Sequence, residues 1–139
     1  MKIIFILLIT LLLTTSCTKR CVKARLEAIT AGYRASSHVG TPDPLKACFY
    51  GQQIVVSWKV AKTCKNLKLT LSYITGVLKL EKVDLPIDSY RGAISYRLIN
   101  QDFKCRKGIL TYKVELHSEG VLLGCFKPRS WVEWVDISN

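Results

Sequence analysis

Apolar and polar residues alternate along this chain in short runs, and that period of two constrains its fold more than any other feature. Successive side chains of a strand point to opposite faces, so alternation marks a strand buried on one side. Residues 53–60 are the clearest case: Ile54, Val56, Trp58 and Val60 point one way, and Gln53, Val55, Ser57 and Lys59 the other. Residues 67–73 repeat it, with Leu67, Leu69, Leu71 and Tyr73 set against Lys68, Thr70 and Ser72. Residues 22–28 alternate Val22, Ala24, Leu26 and Ala28 with Lys23, Arg25 and Glu27.

Further strands are predicted over 77–83, 93–98 (Ile94, Tyr96 and Leu98 inward), 109–117 (Leu110, Tyr112, Val114 and Leu116 inward), 121–126 and 131–137. Turn residues separate them: Thr75-Gly76, Pro86, Ser118-Glu119-Gly120 and Lys127-Pro128-Arg129. A long loop is expected over 30–47, where Pro42 and Pro44 interrupt regular structure. Residues 100–108 read as a polar loop, and no amphipathic helix is expected beyond the N-terminal segment. Seven or eight short strands at this spacing predict an all-β fold, an antiparallel two-sheet β-sandwich.

The N-terminus breaks the pattern. Lys2 precedes an apolar stretch over 3–13, eleven residues interrupted only by Thr10. A membrane-spanning helix needs about 20, so this segment reads as a cleavable signal peptide over 1–16. The residues after it, Leu13-Thr14-Thr15-Ser16-Cys17, resemble the lipobox of bacterial lipoprotein precursors. Ser16 before Cys17 fits; Thr14 stands where Leu is usual. The resemblance implies lipidation of Cys17, a short tether over 17–21 and one domain over 22–139. It also implies a place in the bacterial cell envelope. Thr18 is not the Asp that retains many lipoproteins at the inner membrane, which points to the outer one. Thr14 and Ser16 would also suit a standard signal peptidase, which would give a secreted protein.

Within the domain, Ile54-Val55-Val56-Ser57-Trp58 is similar to the Trp-bearing second strand of fibronectin type III modules. Tyr112-Lys113-Val114-Glu115-Leu116, with Gly120 four residues on, resembles their sixth strand and the turn after it. The resemblance implies a fibronectin type III or immunoglobulin-like sandwich. In that topology Cys48 and Cys105 fall near one end, with Cys125 able to approach, so Cys48 is expected to pair with Cys105 or Cys125. Cys64 falls at the other end. Of the six cysteines, lipidation of Cys17 leaves five, and hence an unpaired thiol or an intermolecular bridge.

The chemistry-bearing residues are sparse. His38 and His117 have no nucleophile motif or paired carboxylates beside them and are not at zinc-ligand spacing. No catalytic residue, metal site or cofactor is therefore expected. Charge is the stronger signal. The chain carries a net +11; without 1–16, whose only charged residue is Lys2, 20 Lys and Arg face 10 Asp and Glu, or +10. Such a surface attracts anions without choosing among them. Lys59, Lys62, Lys65 and Lys68 form the candidate anion-binding run, and Lys104, Arg106 and Lys107 a second cluster. In the fibronectin-like topology the two lie at opposite ends, with no aromatic interleaving, so a nucleic-acid groove is not expected. One Trp of the Trp131-Val132-Glu133-Trp134 segment is a candidate contact residue for a protein partner. The expected function is a non-enzymatic, membrane-anchored envelope lipoprotein that binds or supports. Its candidate ligands are anionic lipid, lipopolysaccharide or glycan. The alternative is a secreted effector or adhesin-like sandwich that binds a host protein.

Overall fold

The computed structural model describes residues 21–30 and 50–133. Within them lie seven strands: β1 (Val22–Ile29), β2 (Gly51–Lys59), β3 (Leu67–Thr75), β4 (Leu80–Leu85), β5 (Arg91–Ile99), β6 (Ile109–Ser118) and β7 (Val121–Phe126). One short helix, α1 (Asn100–Arg106), joins β5 to β6. All pairings are antiparallel. They form a three-stranded sheet, β1-β2-β5, and a four-stranded sheet, β4-β3-β6-β7. This is the antiparallel two-sheet sandwich expected.

The alternating residues make the core. Ile54, Val56 and Trp58 of β2 face Leu69, Leu71 and Tyr73 of β3 and Tyr112, Val114 and Leu116 of β6, all buried. Both motifs that carry the fibronectin-like resemblance therefore sit at the centre. The Trp58 indole N–H donates to the Ser89 carbonyl at 2.9 Å, which ties the β4–β5 connection over the core edge.

Three local readings are corrected. Residues 100–108 hold a helix, not a loop. Its amphipathic signal is weak because it spans only seven residues, has no side-chain N-cap and buries none of them fully. Asp102 near its start and Lys104 and Arg106 near its end suit the helix dipole. Leu110 points out and is 54% exposed, while Ile109 is 3% exposed. The cause is a register shift: Ile74 pairs with Thr111 but Thr75 with Ile109, so Leu110 is an extra residue that reverses the facing. Last, 131–133 form no strand, and the rest of the predicted 131–137 strand lies outside the described residues.

Polar groups close the end that carries α1. The Gln52 side-chain oxygen accepts the Ile109 N–H at 2.6 Å, crossing between the sheets at the bulge. Gly76 donates its N–H to the Gly108 carbonyl at 2.9 Å. A Cβ at Gly76 would collide with the Lys107 backbone, so only glycine permits this approach.

The bulge yields a paired prediction. Leu71→Ala removes a fully buried side chain and should cost about 2–5 kcal/mol. Leu110→Ser should stay within about 0.5 kcal/mol of the parent, because its side chain is already in solvent. Urea unfolding midpoints of the two variants measure both, and a large loss for Leu110→Ser would contradict the register shift.

Candidate functional site

The basic run occupies the connection between β2 and β3 and the first residues of β3. Lys59, Lys62, Lys65 and Lys68 are all exposed. Three backbone ties hold the loop. The Lys59 N–H donates to the Cys21 carbonyl at 2.8 Å, the Val60 N–H to the Tyr90 carbonyl at 2.8 Å, and the Cys64 N–H to the Ala61 carbonyl at 3.1 Å. The Ser118 hydroxyl donates to the Lys65 carbonyl at 2.6 Å, fixing the loop to the β6–β7 hairpin. The loop is thus braced from both sheets, and its lysines project from one end of the sandwich.

That end is also where the described domain begins. Val22 pairs with Trp58, so β1 enters beside the last residues of β2. Cys21, Lys59, Val60, Ala61, Cys64 and Leu123 line a cleft of about 720 Å³. Cys21 packs its sulfur over Gly124, where a Cβ would overlap it, and its thiol donates to the Leu123 carbonyl at 3.5 Å.

The four lysines are not equivalent. Lys68 lies on β3 and reaches the Asp84 carboxylate at 2.9 Å. Together with the Thr70 hydroxyl, it holds the Asp84 carboxyl below its ordinary range. Lys68 is therefore engaged within its own sheet. Lys59, Lys62 and Lys65 stand exposed on the loop and form the outward cationic set.

The second cluster lies at the opposite end, as its position in the chain implied: Lys59 pairs with Arg91, at the start of β5, and α1 follows the other end of that strand. Arg106 pairs with Glu81 and donates to the Tyr73 hydroxyl at 2.9 Å. The Tyr73 hydroxyl lies 2.8 Å from Glu81 and 2.7 Å from the Tyr96 hydroxyl. A hydroxyl has one proton and two acceptor positions. Tyr73 gives its proton to Glu81 and accepts from Arg106 and Tyr96. The cluster joins β3, β4, β5 and α1, with Lys79 also 3.7 Å from Glu81, while Lys104 and Lys107 stay exposed. Lys104 stands 5.4 Å from the centre of the Tyr50 ring. This end is a clamp more than an anion site.

Of the disulfide candidates, Cys105 is exposed on α1 and Cys125 is exposed on β7; both are free thiols. Cys48 lies outside the described residues, as do Cys17, His38 and Trp134. Cys125 pairs with Glu115 in mid-strand, away from the α1 end, and burial pushes its thiol pKa up. Cys21 and Cys64, both half-buried, share the cleft at the basic end, a proximity their wide sequence spacing concealed. His117 pairs with Lys68 and Leu122. Trp131 is half-buried, with the Lys113 ammonium 5.4 Å from its ring centre. Among the described residues no group of three or more His, Cys, Asp or Glu gathers to hold a metal ion, and no helix is long and apolar enough to cross a membrane. Compared with known proteins, the chain matches no family model, no curated protein and no solved structure.

The buried tyrosine generates a pH prediction. Burial first, then the bonds to Tyr96 and Glu81, raise the Tyr73 pKa well above the ordinary tyrosine value of about 10. A raised pKa means the folded state keeps the proton that the unfolded chain loses near pH 10. This contribution is whole below about pH 10 and is lost as pH rises further. Tyr73→Phe should lower stability at neutral pH by about 1–3 kcal/mol, because Glu81 and Arg106 lose a partner, yet flatten the alkaline decline. Urea midpoints compared at about pH 8 and about pH 11 test it; parallel declines in parent and variant would contradict it.

Proposed function

We propose that this chain is an exported lipoprotein of a bacterial envelope, held at the outer membrane by lipid on Cys17. It acts without catalysis, as a binding or structural module whose basic end meets acidic groups. The observation that carries the reading is the shared position of the domain entry and the lysine loop. The Cys21 carbonyl accepts the Lys59 N–H, and Cys21 follows Cys17 by four positions. Four extended residues reach at most about 14 Å. An anchor at Cys17 therefore holds Lys59, Lys62 and Lys65 close to the surface it is embedded in, where a Debye length of about 8 Å leaves their charge effective. Acidic phospholipid, lipopolysaccharide and sulfated glycan all present suitable anions.

We propose with it that the Cys105 thiol, free in the structure, joins Cys48 in a disulfide once the chain reaches an oxidising compartment. Tyr50, two residues after Cys48, stacks edge-on against Phe103, two residues before Cys105, with ring centres 6.1 Å apart. Tyr50 and Asn100 also exchange backbone and side-chain hydrogen bonds.

Intact mass of the mature chain, before and after reduction, tests the anchor and the bridge together. The wild type should begin at Cys17 and carry two or three acyl chains, and Cys17→Ser should lose them and mature abnormally. A mature chain without acyl mass would instead favour the secreted binding protein. Peptide mapping should recover Cys48 joined to Cys105; Cys48 joined to Cys125 would refute that bridge.

The charge reading has its own test. Each Lys near an acidic surface contributes about 1 kcal/mol, so replacing Lys59, Lys62 and Lys65 together by Ser should weaken binding about 100-fold. Elution from heparin in mild detergent should move to lower salt, with an unchanged urea midpoint. Lys68→Ser alone should move elution less, since Asp84 already engages that ammonium. Equal elution of triple variant and parent would leave the run as ordinary solvated surface.

A further inference from the structure

The basic end carries a second feature that charge does not explain. Val121, Leu122 and Leu123 open β7 and are 64%, 49% and 37% exposed. Among the described residues β7 is the last strand of its sheet and pairs only with β6. Its other edge has no strand partner among the described residues, only the Cys21 thiol on the Leu123 carbonyl, and it carries three consecutive apolar residues, an arrangement proteins normally cover or charge. The strand reaches the basic end through a tight hairpin: Ser118 pairs with Val121, and Glu119 and Gly120 between them both have positive φ.

The surroundings define what could cover it. Ser118, opposite Val121, bonds to the Lys65 carbonyl. Leu123 lines the same cleft as Cys21 and Lys59. The apolar edge thus stands next to the exposed lysines and next to the point where the chain enters from its N-terminal tether. Acidic residues of this end include Glu119 at the hairpin tip, Asp88 beside the lysine loop and Asp84 on Lys68. Apolar residues flanked by lysines at the end of a short tether suit a bilayer interface. There ammonium groups meet phosphates, and apolar side chains sink about 5–10 Å into the headgroup and acyl boundary.

We propose that Val121, Leu122 and Leu123 dock into the interfacial zone of an acidic phospholipid bilayer, with Lys59, Lys62 and Lys65 on the headgroups around them. The inference rests on the lipid-anchored reading. It adds an orientation: the sandwich stands on its basic end. Its strands of about nine residues then hold α1 and the β3–β4 turn roughly 30 Å from the surface.

Brominated lipids test this with the full, lipid-anchored chain. Leu122→Trp places a reporter in the edge, and Leu78→Trp, at a 64% exposed site beside the β3–β4 turn, places one at the far end. Both positions are exposed, so neither change disturbs the core. Vesicles of phosphatidylglycerol and phosphatidylcholine carry bromine on the upper acyl carbons, and the emission of the parent's own tryptophans is subtracted. The Leu122→Trp signal should fall at least twofold against unbrominated vesicles, while the Leu78→Trp signal stays unchanged. Quenching of both or of neither, in a chain that floats with the vesicles, overturns the docking and leaves the anchor standing. A chain that lacks acyl mass and does not float overturns the anchor and the docking together. Dimerisation abolished by Leu122→Ser, without quenching, would show that the edge pairs with a second copy and would also overturn the docking.

Discussion

Burial between the two sheets is the constraint on which everything else depends. A three-stranded and a four-stranded sheet each have one apolar face, and neither is stable with that face in water. Ile54, Val56 and Trp58 on one side and Leu69, Leu71, Val114 and Leu116 on the other remove it from solvent. The ends of the sandwich are then where polar chemistry must be resolved. At the α1 end, side chains resolve it: Gln52 takes the Ile109 N–H, and Tyr73 links Glu81, Tyr96 and Arg106. At the other end, backbone ties from Cys21 and Tyr90 and the Ser118 hydroxyl hold a loop whose charges remain outside.

The core was legible because alternation is a direct image of burial. Trp58, Leu71 and Val114 face inward as their spacing requires. What escaped depends on partners that the spacing does not name. Leu110 continues the alternation of β6, but the register shift opposite Ile74 and Thr75 turns it outward. Gln53 sits on the polar face of β2 yet is 1% exposed, because Glu27 and Arg97 on neighbouring strands close over it with hydrogen bonds. α1 has Phe103 to pack against the core but little else to reveal a helical face.

At the candidate site the lysine run could be read from the chain, and so could its separation from the second cluster. Its division could not. Lys68 looks like its neighbours until Asp84, sixteen residues away, appears beside it across the β3–β4 ladder. The apolar edge was hidden for a different reason. Val121, Leu122 and Leu123 look like any buried strand, and only the place of β7 at the border of its sheet leaves them uncovered.

The strand order has a consequence in time. β2 pairs with β5, so that Gly51 must find Ile99, and β3 pairs with β6, so that Leu67 must find Ser118. These central ladders close long stretches of chain before any contact repays the lost entropy. Topologies of this kind fold on the order of milliseconds to seconds, far slower than helical bundles of similar size. The hairpins β3–β4 and β6–β7 can form early, because each joins neighbours in the chain. Neither has a dry face until the central ladders join, so both expose apolar surface while the chain waits. The clamp around Tyr73 needs β3, β4, β5 and α1 together, which makes it a late event that rewards only the completed arrangement.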